Sequence, residues 1–274
     1  SQGNDNNSAA IIKLKYKPSN IEDPKLISLI GKGIIFDTGG TNLKPFNSML
    51  EMHIDMNGSA VALGSLLAIT KQKLPIEVDC WLAITENRTG PLAYKSQDVV
   101  KAANGKTIQT IHTDAEGRMV LADTLYFAGQ EKPDFMIDFA TLTGTCVSAL
   151  TNNYSGVFTN QRHMQTILKE IGEDCGERVW PFPIGSEFLV KLRSETADLM
   201  QCAPAGGGDH ILAATFLNEF VEEDIPWVHI DLSSATNTGG LAHVPTKITG
   251  FGVRYLLNIL KDSRILNSNT SKSL

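Results

Sequence analysis

The chain reads as an α/β domain built on a mixed, largely parallel sheet with helices on both faces, and three observations predict this. Short β-branched runs alternate with longer helical patterns, which is the signature of strands crossing over through helices. No internal repeat or low-complexity linker breaks that alternation. The 274 residues, 42% hydrophobic and 20% charged, suit one large globular domain with an ample core.

In chain order, the polar stretch SQGNDNNSAA (1–10) lacks periodicity and is expected to be disordered, so the domain is placed at 11–262. IIKLKY (11–16) and LISLIGKGIIFD (26–37) read as strands, and 47–72 as one helix whose C-terminal two-thirds is almost entirely small and apolar. EVDCWLAIT (77–85) and TIQTIHT (107–113) read as strands, followed by an amphipathic helix at 117–130. DFMIDFAT (134–141) and SGVFTN (155–160) precede a helix at 161–173, and VWPFP (179–183) precedes one at 186–196. AGGGD (205–209) reads as a loop before a helix at 209–223; WVHIDL (227–232) and a helix at 249–261 close the pattern, with a flexible tail at 263–274.

Composition excludes several functions. A net charge of −6 with no Lys/Arg block offers no footprint for nucleic acid. No run of about 18 apolar residues exists, so no membrane partner is expected. Cys80, Cys146, Cys175 and Cys202 form no C-x-x-C pair, which excludes a zinc ribbon or thioredoxin motif and fits reduced thiols in a cytoplasm.

FDTGGTNLK (36–44) is the first stretch with chemistry in it. An aspartic protease needs two Asp-Thr/Ser-Gly loops on an all-β frame, and this α/β chain has one. A sugar-kinase phosphate loop stays open as a rival, although no G-x-x-x-x-G-K-[ST] loop accompanies it. A bare turn after a strand is the third reading. Asp37 differs from an isolated turn because Lys32 stands five residues before it and Lys44 seven after it, across two glycines.

Asp55 sits at the edge of the apolar helical stretch, where a carboxylate must be paired, protonated or bound to a metal. Its neighbour His53 reads as a packing or hydrogen-bonding residue. In HTDAEGR (112–118), Asp114 and Glu116 are one residue apart, a spacing that in extended backbone turns both carboxylates to one side, with Arg118 opening the helix behind. Four carboxylates and a lysine amine gathered at one loop-rich edge repel one another unless cations intervene, and a pair of divalent ions would relieve this.

IGKGIIFDTGGTNLK, IDMNGSA, HTDAEGR and ATLTG, in this order and spacing over residues 30–144, resemble the leucyl (cytosol) aminopeptidase family, and the likeness continues more weakly through FLNEF, PWVHIDL and TGFGVR. The resemblance implies a metallo-exopeptidase that removes N-terminal, leucine-like residues from peptides through a water shared by two metals. It implies that Asp37 and Glu116 bridge the ions, that Asp114 completes one site, and that Lys32 with Asp55 completes the other. The ions would be Zn²⁺ or Mn²⁺, with Co²⁺ and Mg²⁺ as alternatives. A ligating Lys32 must be neutral, which calls for a pKa far below its usual value.

By the same resemblance Lys44 polarises the scissile carbonyl and Arg118 holds a bicarbonate that relays the proton. Met52, Thr141, Leu142 and Gly144 match positions near the pocket for the first side chain or the peptide backbone. Family members carry a separate N-terminal domain and assemble as hexamers, so this chain resembles the catalytic half of a homo-oligomer. A non-catalytic metal-binding protein on the same fold is the remaining alternative.

The sequence departs from the family pattern at His112, Gln109, Ser96-Gln97-Asp98 and the 232–245 loop. His112 is expected to tune Asp114 without binding metal, and His210 and His243 are expected to face solvent.

Overall fold

In the computed structural model, which describes residues 9–19 and 21–266, the strands are β1 (Ala10–Tyr16), β2 (Leu26–Asp37), β3 (Glu77–Asn87), β4 (Val99–Lys101), β5 (Thr107–Gln109), β6 (Phe135–Ala140), β7 (Ser155–Thr159), β8 (Val179–Pro181), β9 (Leu199–Met200) and β10 (Trp227–Asp231). Seven of them form one sheet in the order β1-β3-β2-β6-β10-β7-β8, and β4-β5-β9 form a small second sheet. The pairs β2/β3, β2/β6, β6/β10 and β7/β8 are parallel, whereas β1/β3 and β7/β10 are antiparallel. The mixed, largely parallel α/β architecture expected from the alternating pattern is what forms.

The helices are α1 (Phe46–Met49), α2 (Asn57–Gln72), α3 (Glu116–Gly129), α4 (Gly144–Leu150), α5 (Met164–Cys175), α6 (Ser186–Leu189), α7 (Asp209–Asn218), α8 (Val253–Ile259) and α9 (Ser263–Leu266). They cover the sheet in two layers. On one face Ile27, Leu29, Ile137 and Phe139 pack with Ala62 and Ile69 of α2, Leu168 of α5 and Leu256 of α8. On the other, Ile30, Met136 and Trp227 pack with Leu121 and Leu125 of α3 and Leu212 and Phe216 of α7. Fully burying a side chain of this size contributes about 1.5–3 kcal/mol, and burial on both faces explains why the central strands read as continuous apolar runs.

Several expected elements differ. The helix predicted over 47–72 is broken into α1, a 3₁₀ turn at Met52–Ile54 and α2. Between them the backbone of Asp55 leaves helical geometry, at ψ 6°, while its carboxylate is held inward by Lys32 and Thr141. The strand predicted over 107–113 ends at Gln109, and Thr113–Ala115 forms a 3₁₀ turn that runs into α3. The extended backbone assumed for Asp114 and Glu116 is therefore absent, and the two carboxylates reach the site from a turn and from the first residue of a helix.

The helix predicted over 186–196 is one turn of α6 followed by a 3₁₀ turn at Val190–Leu192, and α4, β4 and β9 form where no element was expected. Of the tail predicted from 263, Ser263–Leu266 is helical with Ile265 buried. The rest of that tail, and residues 1–8 of the N-terminal segment, lie outside the described residues.

Candidate functional site

The carboxyl ends of β2 and β6, the turn before α3 and the turn before α2 converge on one wall of a cavity of about 570 Å³. Open α/β sheets place ligands at this end because the loops leave the strands there. β2 carries Lys32 and Asp37, and the chain after it must turn back at once for Lys44 to face Asp37. Gly39 makes that turn at φ +87°, where an added Cβ would lie 2.5 Å from Asn42 O. Gly117 in α3 serves a different need: a Cβ there would lie 2.7 Å from Lys32 Nζ, so only glycine lets this ammonium reach Glu116.

Lys32, only 3% exposed, lies 2.9 Å from Asp55 Oδ1 and 3.1 Å from Glu116 Oε1, and donates to Thr141 O at 3.1 Å. Lys44 lies 2.9 Å from Asp37 Oδ2 and 2.6 Å from Asp114 Oδ1. Ligand atoms of Asp37, Asp55 and Glu116 all fall within 4.8 Å of one another. The structure thus brings together Lys32, Asp37, Lys44, Asp55, Asp114 and Glu116, and Met52, Thr141, Leu142 and Gly144 line the same cavity.

Charge shows what is missing from this arrangement. Four carboxylates face two ammonium groups, and buried Asp55 Oδ2 has no partner among the described residues. Among the described residues, Asp114 Oδ1 and Glu116 Oε1 are reached only by the lysines. A surplus of buried oxygen donors with unfilled lone pairs suits hard divalent cations, so these residues fit a metal centre.

The local field follows the same logic. Burial pushes Asp55 above its ordinary value against the pull of Lys32, with Glu116 and Asp37 adding to the rise. Burial likewise pushes Asp114 up in spite of Lys44. Burial also acts to raise Asp37, but Lys32 and Lys44 outweigh it and hold this carboxyl low. For Lys32, burial alone would lower the ammonium, yet Asp55, Glu116 and Asp37 hold it above its usual value. The depressed Lys32 that the resemblance implies is expected from burial beside dications, and without them its acidic neighbours hold it high. Lys44 stays an ammonium for the corresponding reason, with Asp37 and Asp114 outweighing burial.

Arg118 departs from expectation. Its guanidinium is 2% exposed and forks onto Asp209, with Nη1 to Oδ1 at 3.0 Å and Nη2 to Oδ2 at 2.6 Å, while Nη1 also donates to Gln201 O at 3.1 Å. A bicarbonate does not fit there, because a carboxylate of the chain already takes both arms of the fork. The direct partners of Arg118 are Asp209 and Gln201. Burial alone would lower its guanidinium, Asp209 outweighs burial, and Glu116 of the acid cluster reaches it only through the field, adding to the rise that Asp209 produces.

The histidines differ as well. His210 is buried rather than solvent-facing, its ring edge-on to Phe182 and in contact with Thr145 Oγ1 at 3.2 Å. His53 is exposed and packs against no core, and exposed His243 contacts Arg254. His112 Nδ1 accepts from the Asp114 N–H at 3.3 Å, which orients the turn that carries Asp114.

Two positioning groups, Asn87 and Thr113, escaped the sequence reading, and a third, Asp231, stood out there only as an acid near the carboxyl end of a strand. Asn87 Nδ2 donates to Asp37 Oδ1, Glu116 Oε2 and Thr113 O. Thr113 Oγ1 donates to Gly39 O at 2.6 Å and accepts from Asn42 N–H, which binds the β2 turn to the turn before α3. Asp231, at the end of β10, accepts from Leu142 N–H, Thr143 N–H and the Thr143 hydroxyl, and so fixes the loop after β6. A polar residue closing an apolar strand beside Asp37 was the available signal for Asn87; nothing local marked Asp209.

The family model for the catalytic domain of the cytosol aminopeptidase family matches residues 1–257. A probable cytosol aminopeptidase of Prochlorococcus marinus (strain MIT 9211) is 43% identical over 94% of this chain and 52% of its own length. A probable cytosol aminopeptidase of Phytoplasma australiense is 39% identical over 92% of the chain and 51% of its own. Among solved structures, the cytosol aminopeptidase of Coxiella burnetii superposes with a TM-score of 0.85 at 36% identity, over 92% of this chain and 54% of that one. The bottromycin maturation enzyme BotP gives 0.83 at 36% identity. The chain spans about half the length of the curated relatives it matches.

Proposed function

The chain belongs to the cytosol aminopeptidase family, and from that premise we propose that it is a metal-dependent aminopeptidase removing N-terminal residues from peptides. One observation carries the reading: Asp37, Asp55 and Glu116 cluster within 4.8 Å, Asp37 and Asp55 line a cavity, and an oxygen of Asp55 is unpartnered among the described residues. Such a donor set suits divalent cations. The loop 36–44 is part of this cluster, which leaves the phosphotransferase reading without support.

In the proposed arrangement two divalent ions, Zn²⁺ or Mn²⁺ with Co²⁺ and Mg²⁺ as alternatives, are held by Asp37, Asp55, Asp114, Glu116 and a neutral Lys32. When bound they would lower the pKa of water and give the substrate's free α-amine a place to attach. The chain's own residues do the rest. Lys44, kept an ammonium by its acidic neighbours, offers a positive charge to the scissile carbonyl oxygen as negative charge builds on it. Thr141, Leu142 and Gly144 line the path of the peptide backbone, and Met52 offers an apolar wall to the first side chain, which favours leucine-like residues. Asp231 keeps the loop carrying Leu142 and Thr143 in place, so the substrate meets a preformed edge.

The resemblance extends the proposal to a cytoplasmic homo-hexamer. Among the described residues no helix is long and apolar enough to cross a membrane.

The test is hydrolysis of leucine p-nitroanilide with added Mn²⁺, Zn²⁺ or Co²⁺, repeated with chelator and with Asp114→Ala. Turnover is expected with metal and should vanish with chelator. No turnover in any metal, with the metal nonetheless bound, would leave a non-catalytic metal-binding protein.

A further inference from the structure

Arg118 and Asp209 come from different parts of the chain, one from the first turn of α3 and the other from the first residue of α7. Both line the cavity that holds the acid cluster. Their contact is two-pronged, and the geometry around it is fixed. Gly208 enters α7 at φ +79°, a left-handed conformation that glycine adopts freely. The next residue, His210, is tied to α4 through its N–H to Thr145 Oγ1 at 3.0 Å and through its ring. Asp209 is thus pinned on both sides, and its side chain is 37% exposed while Arg118 is nearly sealed.

We propose that Asp209 takes the place of a free anion at Arg118, presenting to the cavity a carboxylate that belongs to the chain and that carries the proton in hydrolysis. A tethered carboxylate on a planar fork competes with dissolved bicarbonate at a high effective concentration, and Nη1 of Arg118 is further engaged by Gln201 O. In the step it would serve, the attacking water gives up a proton to Asp209 as its oxygen bonds to the peptide carbonyl carbon and the carbonyl electron pair moves onto oxygen. When the carbon–nitrogen bond breaks, that proton passes from Asp209 to the leaving amine. Water and peptide become acid and amine, and Asp209 returns to its starting form. The inference rests on the aminopeptidase reading for this step, whereas exclusion of the anion rests on the Arg118 contact alone.

Two measurements on the metal-loaded chain test it. Turnover of leucine p-nitroanilide is compared in carbon dioxide-free buffer and with added bicarbonate, and ¹³C-labelled bicarbonate is titrated by NMR into the Mg²⁺-loaded protein. Wild type should turn over equally in both buffers and bind no labelled anion. Asp209→Ala should lose about 10²-fold or more in kcat with little change in KM, bind the labelled anion, and recover activity with bicarbonate or formate. Asp209→Asn should lose kcat without recovering, because its amide oxygen still accepts from one arm of the fork and its NH2 blocks the space a free anion would need; a purely structural ion pair would not divide the two variants in this way. Bicarbonate binding by wild type, or undiminished kcat of Asp209→Ala in carbon dioxide-free buffer, overturns the proposal. If wild type hydrolyses nothing in any metal, the aminopeptidase reading fails by itself, and the labelled-anion titration still decides whether Asp209 excludes the anion.

Discussion

The side-chain amide of Asn87 donates to Asp37 Oδ1 at 2.8 Å and, from the same nitrogen, to Glu116 Oε2 at 3.1 Å. One residue at the end of β3 therefore sets the separation of two carboxylates from β2 and α3. Groups that orient metal-binding carboxylates in this way typically matter about 10–100-fold in affinity. Asn87→Ala is expected to weaken metal binding by that factor, read by titrating Mn²⁺ against a chelating indicator. Unchanged affinity would show that the carboxylates hold their places without it.

Metal should also stabilise the fold. With two lysines facing four buried or half-buried carboxylates, the unfilled site carries an excess of negative charge. A cation that binds only the folded chain adds about 2.7 kcal/mol at one hundred times its dissociation constant. At about 2–4 °C per kcal/mol for a chain of this size, saturating Mn²⁺ should raise Tm by roughly 5–10 °C over the chelator-treated protein. A Tm indifferent to Mn²⁺, Zn²⁺ and Co²⁺ would be incompatible with a metal centre here.

Lys44 is expected to act on the reaction rather than on metal retention, since its ammonium bonds to two carboxylates but adds nothing to their number. Lys44→Met should keep the bound metal, measured by atomic emission after gel filtration. Its kcat should fall by about 10²–10³, the usual loss for one charge-stabilising donor. Wild-type kcat in this variant would remove Lys44 from the chemistry.

A pair buried within the sheet gives the stability a pH dependence. His229 Nδ1 lies 2.6 Å from Asp138 Oδ1, and Trp227 Nε1 donates to Asp138 Oδ2, all inside the sheet. Burial alone would lower His229, but Asp138 outweighs it and holds the imidazole above its ordinary value. A folded pKa above the unfolded value of about 6.5 means that this contribution is complete below pH of about 6.5 and is lost as pH rises through the folded value. Asp138→Asn should cost about 3–5 kcal/mol at low pH by breaking the pair. Denaturant melts across pH should show the gap between wild type and variant closing as pH rises, and a gap that widens instead would contradict the charge assignment.

Much of the fold was legible because burial on both faces of a sheet writes itself as unbroken β-branched runs, as in LISLIGKGIIFD, which is β2 to the residue. The acidic ligand candidates were legible because an acid beside apolar residues demands a partner. Asp55 is such an acid, and it is buried. The break in the helix predicted over 47–72 was not legible, since periodicity continues through it and only the inward pull on Asp55 interrupts it. Nor was the true backbone at Asp114 and Glu116, where TDAEGR could be written equally well as the end of a strand or as a turn into a helix.

The sequence by itself determined the family, the α/β layering and the set of acids and lysines gathered at one sheet edge, because each leaves a local mark in pattern or spacing. Tertiary structure alone decided who pairs with whom. Asn87 joins β3 to β2 and α3, and Asp209 crosses 91 positions to close on Arg118. A hydrogen bond or ion pair between distant segments depends on through-space distance, and chain spacing carries no record of it until the layers are packed.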